Sequence, residues 1–302
     1  MRAQGVELKA VVQEASASDM ARSVVLDRSI GDFIGELGKL KPAQIEQVLA
    51  YQRLHGIRFG EAAVALKLVT RDDVMWALSK QFHYPYASGD GARFNSELVA
   101  AIDPFHAQTE SFRGVRSQLM LGAMAAEMPK TALAVISPNV GDGKSFFAAN
   151  LAIVFSQLGA KTLLIDADMR TSRQHLLFGI PNDTGLSSVL SGRAGMNAMR
   201  AVPELPSLFV TPVGAMPPNP LELLQRPAFG LLLQELLAEF DHVIVDTPAS
   251  IHGADSRVLA AKCGAAMVIA RRHISGVKAV RQLVADASRS SVRFAGVVVN
   301  EH

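Results

Sequence analysis

From about residue 105 the sequence alternates short, almost continuous apolar runs with longer amphipathic stretches. The runs are TALAVIS (131–137), TLLIDAD (162–168), SLFVTPV (207–213), HVIVDTP (242–248), AAMVIAR (265–271) and FAGVVVN (294–300). Strands that are buried on both faces of a sheet have this continuous apolar character, and amphipathic stretches between them are typical of crossover helices. The pattern predicts an α/β domain with a mostly parallel sheet over residues 105–302.

An internal repeat predicts a separate, all-helical domain over residues 28–87. Residues 29–52 align with residues 58–81, so that Gly31 lies opposite Gly60. Each copy predicts a helix, a turn with a capping residue (Lys41-Pro42 or Thr70) and a second helix. Apolar spacing of i, i+3 and i+4 predicts a core built from Ile45, Val48 and Leu49 in the first copy and Val74, Ala77 and Leu78 in the second.

The remaining segments are predicted to connect these domains. Residues 1–27 lack the apolar centre of a signal peptide, and we expect a mobile tail there. Residues 88–104 are predicted to form a linker with one short helical turn. No apolar run reaches the ~18 residues that would indicate a membrane span.

Net charge and cysteine content exclude few classes of function. The formal charge of the 302-residue chain is +2, which gives no reason to expect a nucleic-acid partner. The single cysteine, Cys263, excludes an intrachain disulfide and fits a reducing cytoplasm.

The stretch SPNVGDGKS, residues 137–145, follows the first predicted strand and opens a helix. Gly141 and Gly143 allow backbone N–H groups to turn towards one anion, and the helix adds its amino-terminal dipole. Lys144 can reach the outer phosphates of a nucleotide, and Ser145 carries the hydroxyl that binds Mg²⁺ in such loops. The alternative is a glycine-rich turn without a ligand. The residues expected to contact nucleotide are Val140, Gly141, Asp142, Gly143, Lys144, Ser145 and Phe146.

Acidic residues end two of the other predicted strands. Asp166 and Asp168 end LLIDAD, and Asp246 ends VIVD. Beside a phosphate loop, carboxylates in these positions suit coordination of Mg²⁺. The alternative is helix capping, which we favour for Asp255.

Three stretches of the sequence resemble motifs of a known family. ISPNVGDGKSFFAANLA, LLIDADMR and HVIVDTPAS resemble the Walker A, Walker A′ and Walker B motifs of bacterial tyrosine kinases, which have a P-loop NTPase fold. The resemblance covers roughly residues 105–302 and is greatest to the EpsG-like chain-length determinant subgroup. The related partitioning ATPases carry an extra loop lysine where this chain has Asn139, and this difference favours the kinase branch.

The resemblance implies roles for individual residues. Lys144, Asp166 and Asp168 would be catalytic, with one of the two aspartates as the base for the attacking tyrosine. Ser145, Asp166 and Asp246 would hold Mg²⁺, and Asn300 lies where relatives contact the adenine of ATP. ESFRGVR, residues 110–116, resembles the family's E-x-x-R-x-x-R element, in which Glu110, Arg113 and Arg116 would join subunits into a ring. The alternative is a solvated helix face.

The resemblance also implies a setting for the protein. The expected partner is a Wzz-type membrane chain-length regulator of exopolysaccharide export, which would recruit a cytoplasmic kinase to the inner face of the membrane. Family members carry a tyrosine-rich carboxyl-terminal tail, whereas this sequence ends NEH and its tyrosines are Tyr51, Tyr84 and Tyr86. We therefore expect inefficient autophosphorylation. The alternative function is an ATPase switch that regulates export without phosphotransfer.

The helical repeat resembles the amino-terminal domain of type II secretion ATPases, some of which bind cyclic di-GMP. Arg58 and Gly60 match the dinucleotide motif, but Lys67 stands where glycine is expected and Ser29 where arginine is expected. These departures favour a protein-docking module, and cyclic di-GMP binding is the alternative.

Overall fold

The computed structural model describes residues 30–36, 39–81, 94–290 and 292–301. The chain divides into two compact units, residues 1–84 and 85–302. The predicted tail, residues 1–27, lies outside the described residues. Among the residues that are described, no helix is long and apolar enough to cross a membrane.

The amino-terminal unit is helical, as the repeat predicts. Its helices are α1 (Ile30–Glu36), α2 (Pro42–His55), α3 (Phe59–Ala65) and α4 (Arg71–Gln81). The turn before α4 is capped by reciprocal hydrogen bonds between Thr70 and Asp73. Val48 and Ala77 are fully buried, but the neighbouring Leu49 and Leu78 are partly exposed because each helix turns the preceding residue into the core.

Two positions of the repeat show what its backbone demands. A Cβ atom at Gly60 would lie 2.5 Å from Val74 Cγ1, so glycine is what allows α3 and α4 to pack this closely. Lys67 adopts φ of +56°, the left-handed region that glycine occupies most easily. The glycine that the cyclic di-GMP motif has in place of Lys67 is therefore explained by the backbone conformation alone, and a bound ligand is not needed to explain it.

The second unit is an α/β domain, which confirms the predicted fold class. Its helices are α5 (Val99–Ile102), α6 (Ala107–Leu121), α7 (Lys144–Ser156), α8 (Gln174–Phe178), α9 (Leu186–Leu190), α10 (Pro220–Gln225), α11 (Pro227–Glu239), α12 (Asp255–Cys263) and α13 (Val277–Ser288). Its strands are β1 (Ala132–Ile136), β2 (Thr162–Asp166), β3 (Arg200–Ala201), β4 (Leu208–Thr211), β5 (His242–Asp246), β6 (Gly264–Arg271) and β7 (Arg293–Asn300).

The strands form a sheet in the order β3-β4-β2-β5-β1-β6-β7. All pairings are parallel except that of β3 with β4. The antiparallel β3 was not predicted, because two residues show no periodicity. Every residue of β1 and β2 is buried, which explains why these strands are continuously apolar.

Hydrophobic clusters cover both faces of the sheet. One is centred on α7, whose apolar residues are almost all buried, and the other lies under α11, α12 and α13. Cys263, at the end of α12, is 2% exposed in the second cluster. Burial there raises the pKa of its thiol well above the ordinary value.

Residues 94–104 are not the linker that the sequence predicts. Phe94 and Leu98 are buried in the α7 cluster, and α5 packs on α7. Asn150 of α7 accepts the backbone N–H of Ala100 at 2.9 Å, and Gln157 donates to the carbonyl of Ala100 at 2.8 Å. This segment therefore belongs to the α/β unit, because the amide side chains of Asn150 in α7 and of Gln157 just after it satisfy its backbone. Residues 88–93 lie outside the described part of the chain.

Gly185, which precedes α9 and packs against the backbone that follows β4, offers a test of the packing in the α/β unit. A Cβ atom at Gly185 would lie 2.1 Å from the carbonyl oxygen of Pro212, so we expect Gly185→Ala to destabilise the protein by about 1–3 kcal/mol. Gly230, inside α11, has no atom near its Cβ position, and Gly230→Ala should stabilise by roughly 0.5–1 kcal/mol. Urea unfolding measures both changes. Equal effects of the two substitutions would contradict the packing at Gly185.

Candidate functional site

The loop between β1 and α7 has the backbone of a phosphate-binding loop. Gly141 and Gly143 adopt φ of +82° and +97°, in the left-handed region. A Cβ atom at Gly143 would lie 2.2 Å from Asn300 Nδ2, so both the conformation and the space require glycine. The loop therefore presents its amides at the start of a thirteen-residue helix, where an anion is favoured.

Asp142 shapes this loop from the inside. Its side chain is fully buried, and its carboxylate accepts the Asn139 N–H and the Ser275 hydroxyl, both at 2.8 Å. Asp142 does not line the adjoining cleft, so its carboxylate is turned away from a ligand. The prediction that Asp142 contacts nucleotide could hold only for its backbone.

A cleft of about 500 Å³ lies over the loop. Several predicted site residues line it: Val140, Gly141, Gly143, Lys144, Ser145, Phe146, Asp168 and Asn300. Residues that the sequence analysis did not single out also line it: Glu97, Gln108, Thr171, Arg173 and Arg271. Arg173 is ion-paired with Glu97 at 2.6 Å, so Arg271 is the arginine whose charge adds to that of Lys144, which suits a polyphosphate ligand.

Asp166 and Asp246 form a buried pair beneath this cleft. They lie opposite each other in the register of β2 and β5, and both are fully buried. Asp166 Oδ2 accepts the backbone N–H groups of Arg173 at 3.2 Å and Gln174 at 3.0 Å. Burial, and then the charge of Asp246, raise the pKa of Asp166 well above its usual range. Burial also raises the pKa of Asp246 to about 6, although the positive charge of Lys144 acts in the opposite direction.

Asp168 differs from this pair because it lines the cleft. Its Oδ1 accepts the backbone N–H groups of Arg170 at 3.1 Å and Thr171 at 2.8 Å. Its Oδ2 accepts the Thr171 hydroxyl at 2.7 Å. Asp168 thus caps the turn that follows it, and the same hydrogen bonds hold its carboxylate at the wall of the cleft.

Gln174, the first residue of α8, is a site residue that the sequence does not reveal. Its Nε2 donates to Asp246 Oδ2 at 2.8 Å and to the Ser145 carbonyl at 3.1 Å. The only signal was its position shortly after LLIDADMR, which is too weak to assign a role.

Asp255 is also used differently from the prediction. It begins α12, but its carboxylate pairs with Arg170 Nε at 2.5 Å and no capping bond from its side chain is present. Arg170 belongs to the turn that carries Asp168, so this ion pair joins the turn after β2 to the helix that follows β5.

The residues beneath the cleft fit a Mg²⁺ ion. Asp246 Oδ1 is buried and has no hydrogen-bond partner, and the Ser145 hydroxyl lies close enough to lower the pKa of Asp246. Serine hydroxyl and carboxylate oxygens are the ligands that Mg²⁺ prefers, usually together with phosphate oxygens and water. No cluster of three or more histidine, cysteine or acidic residues that could hold a metal by itself occurs in the described ranges.

The predicted oligomerisation residues lie on α6. Glu110 is exposed and forms an ion pair with Arg113 Nη1 at 2.8 Å. Arg113 also donates to the Pro104 carbonyl at 2.5 Å, and Arg116 donates to the Val154 carbonyl at 2.6 Å. Both arginines therefore make contacts within the chain, and Glu110 is the most accessible of the three.

These features define the class of the protein: an α/β nucleotide-binding protein with a P-loop. A family model described as the CobQ/CobB/MinD/ParA nucleotide binding domain matches residues 133–302. The chain belongs to that family, in its branch of bacterial tyrosine-protein kinases.

The branch rests on three relatives. The putative tyrosine-protein kinase CapB of Staphylococcus aureus is 33% identical over 68% of this chain and 90% of its own length. The tyrosine-protein kinase Wzc of Salmonella typhimurium is 32% identical over 68% of this chain, which spans 28% of Wzc. The kinase domain of the Escherichia coli tyrosine kinase ETK superposes with a TM-score of 0.64 at 31% identity, over 67% of this chain and 79% of that domain.

The loop lysine provides the first test of the site. Lys144 is 6% exposed and lines the cleft at the start of α7. We expect Lys144→Met to abolish Mg-ATP binding in calorimetry, because the phosphates lose their buried cation, while the far-UV circular dichroism stays unchanged. Equal nucleotide affinity in the variant and the wild type would show that the loop does not bind phosphates.

The raised pKa of Asp246 predicts a pH-dependent stability. The folded protein binds this proton more tightly than the unfolded chain, so the contribution of Asp246 to stability falls as pH rises from the ordinary pKa of 3.8 through about 6. Asp246→Asn removes the effect, and its unfolding free energy relative to wild type should rise by roughly 3 kcal/mol from pH 4 to pH 8. Urea unfolding without nucleotide measures this change. The exposed Asp72→Asn is the control, and a flat difference for Asp246→Asn would contradict the raised pKa.

Proposed function

We propose that the chain is an ATP-dependent protein-tyrosine kinase that uses Mg²⁺. One observation carries the proposal: Asp168, a carboxylate held by three hydrogen bonds, lines the same cleft as Lys144 and Ser145. An acceptor hydroxyl bound there would meet a base beside the phosphates. The names of Wzc, CapB and ETK as tyrosine kinases support the same reaction.

Residues of this chain would position ATP in the cleft. The amides of the loop and Lys144 would bind the outer phosphates, with Arg271 adding charge at the rim of the cleft. Asn300 donates to the Asp142 carbonyl at 3.4 Å, and its position against Gly143 suits contact with the adenosine. In-line attack requires this fixed geometry more than any covalent chemistry of the protein.

Ser145 and Asp246, with Asp166 behind them, would hold the magnesium ion. Bound there, Mg²⁺ neutralises charge on the phosphate oxygens during transfer. Asp166 is fully buried and does not line the cleft, so we assign it to the metal site and the base to Asp168.

Asp168 would accept the proton of the tyrosine. A phenol has a pKa near 10, so at neutral pH it needs a neighbouring carboxylate to become nucleophilic. The phenolic oxygen forms a bond to the γ-phosphorus, the bond to the β,γ-bridging oxygen breaks, ADP leaves, and the proton goes to Asp168. Tyr51, the tyrosine among the described residues, packs against the helical core, so we propose an acceptor on another protein.

We place the kinase in exopolysaccharide assembly, in the EpsG-like subgroup, with a Wzz-type membrane regulator as partner that recruits it to the membrane. The helical unit would dock to a protein. Because it resembles the amino-terminal domain of type II secretion ATPases, cyclic di-GMP binding is the alternative role for this unit. Through Glu110, Arg113 and Arg116, neighbouring chains would form a ring.

The reaction is tested by transfer of radiolabelled γ-phosphate from ATP, with the purified chain alone and with the cytoplasmic segment of its membrane partner. We expect Asp168→Asn to lose at least about 100-fold in transfer, the usual contribution of a general base, and to keep nucleotide affinity. Asp183→Asn, an exposed carboxylate of the same unit, is the control. ATP hydrolysis without any labelled protein would favour the ATPase switch over the kinase.

The ring is tested by light scattering with and without Mg-ATP. We expect Arg113→Ala plus Arg116→Ala to convert an oligomer to monomer, because both guanidinium groups would contact a neighbouring chain. Since both also contact carbonyls of their own chain, thermal unfolding must show that the fold is intact. Glu110→Gln, which spares those contacts, should weaken the oligomer more mildly, and unchanged mass for all variants would leave α6 as a solvated face.

A further inference from the structure

Gln174 connects the three parts of the site that the motifs describe separately. Its backbone N–H binds Asp166 Oδ2, and its Nε2 binds both Asp246 Oδ2 and the Ser145 carbonyl. The residue is fully buried. One amino acid therefore contacts the ends of β2 and β5 and the start of α7.

The orientation of its amide follows from these partners. The carboxylate of Asp246 and the carbonyl of Ser145 can only accept hydrogen bonds from the amide, so the NH₂ end must face them. Both hydrogens on Nε2 are then used, and Oε1 points elsewhere.

Two acceptor oxygens remain without a partner. Gln174 Oε1 and Asp246 Oδ1 are both buried, and neither has a hydrogen-bond donor. They belong to groups joined by the 2.8 Å bond between Nε2 and Oδ2. Buried acceptors are normally paired, so this arrangement calls for a donor that enters with the ligand.

We propose that Gln174 is an outer ligand of the magnesium site, which accepts a hydrogen bond at Oε1 from a metal-bound water while its Nε2 fixes Asp246. The inference rests on the proposed binding of Mg-nucleotide and adds a residue that the motifs do not contain. Mg²⁺ dehydrates reluctantly and usually keeps several waters, which are strong donors. Because Gln174 begins α8, metal binding would also stabilise the turn from Asp168 to α8.

The test separates metal binding from nucleotide binding. ADP is titrated into the full chain by calorimetry, once with Mg²⁺ and once with EDTA. We expect Gln174→Met to lower the affinity for Mg²⁺ in the ADP complex by about 10–100-fold, the range typical of outer-ligand substitutions, with less than about a threefold change in EDTA. Gln157→Met is the matched control, since Gln157 is a buried glutamine whose amide binds Ala100 at the far end of α7.

Each outcome decides the proposal. Equal losses with Mg²⁺ and with EDTA would make Gln174 a structural residue only, and unchanged affinity would also overturn the inference while leaving the kinase proposal intact. A wild type that binds no nucleotide would overturn both. If Gln174→Met does not fold, a crystal structure of the wild type with Mg-ADP decides: Oε1 within about 3.2 Å of a metal-bound water supports the inference, and a greater separation contradicts it.

Discussion

Two ionisable carboxyl groups, those of Asp166 and Asp246, are held side by side in the interior, and the residues around them lower the cost of ionising them. Neither carboxylate has solvent to screen it, and their raised pKa values express the cost. Lys144 supplies one compensating charge, and backbone N–H groups from the start of α8 supply dipoles. A divalent cation would supply the positive charge that Lys144 and these N–H groups do not. Nucleotide binding and the stability of the nucleotide-free protein therefore depend on the same atoms.

The parallel sheet creates the constraint in the first place. Because β2 and β5 are neighbours in register, acidic residues that end them must meet. β1 lies on the other side of β5, so its loop arrives at the same edge of the sheet. The turn after Asp168 is then joined to α12 by the Arg170–Asp255 ion pair. The order of the strands therefore brings the acidic residues and the phosphate loop to one edge of the sheet.

The features predicted correctly from the sequence are those with an extended hydrophobic pattern or a backbone conformation that only certain residues can adopt. The buried strands, the phosphate loop and the helical repeat all have such signals, and Asp166 and Asp246 follow from them. Residues 94–104 were predicted to be part of a linker and instead pack on α7, because their apolar side chains match the surface of that helix and have no period of their own. Gln174 and the pairing of Asp255 with Arg170 depend on contacts between distant segments, and no local pattern encodes them. Which of Asp166 and Asp168 is the base could not be decided from the sequence, because both carboxylates follow the same strand and only their position relative to the cleft distinguishes them.

Labelling of Cys263 can report the opening of the α/β unit. It is the single thiol of the sequence, buried at the end of α12, and burial raises its pKa too far for a reactive thiolate to form at neutral pH. An alkylating reagent can modify it only in molecules whose α/β unit has opened. The rate of labelling therefore counts opening events, and any ligand that binds the closed form slows that rate in proportion to its saturation.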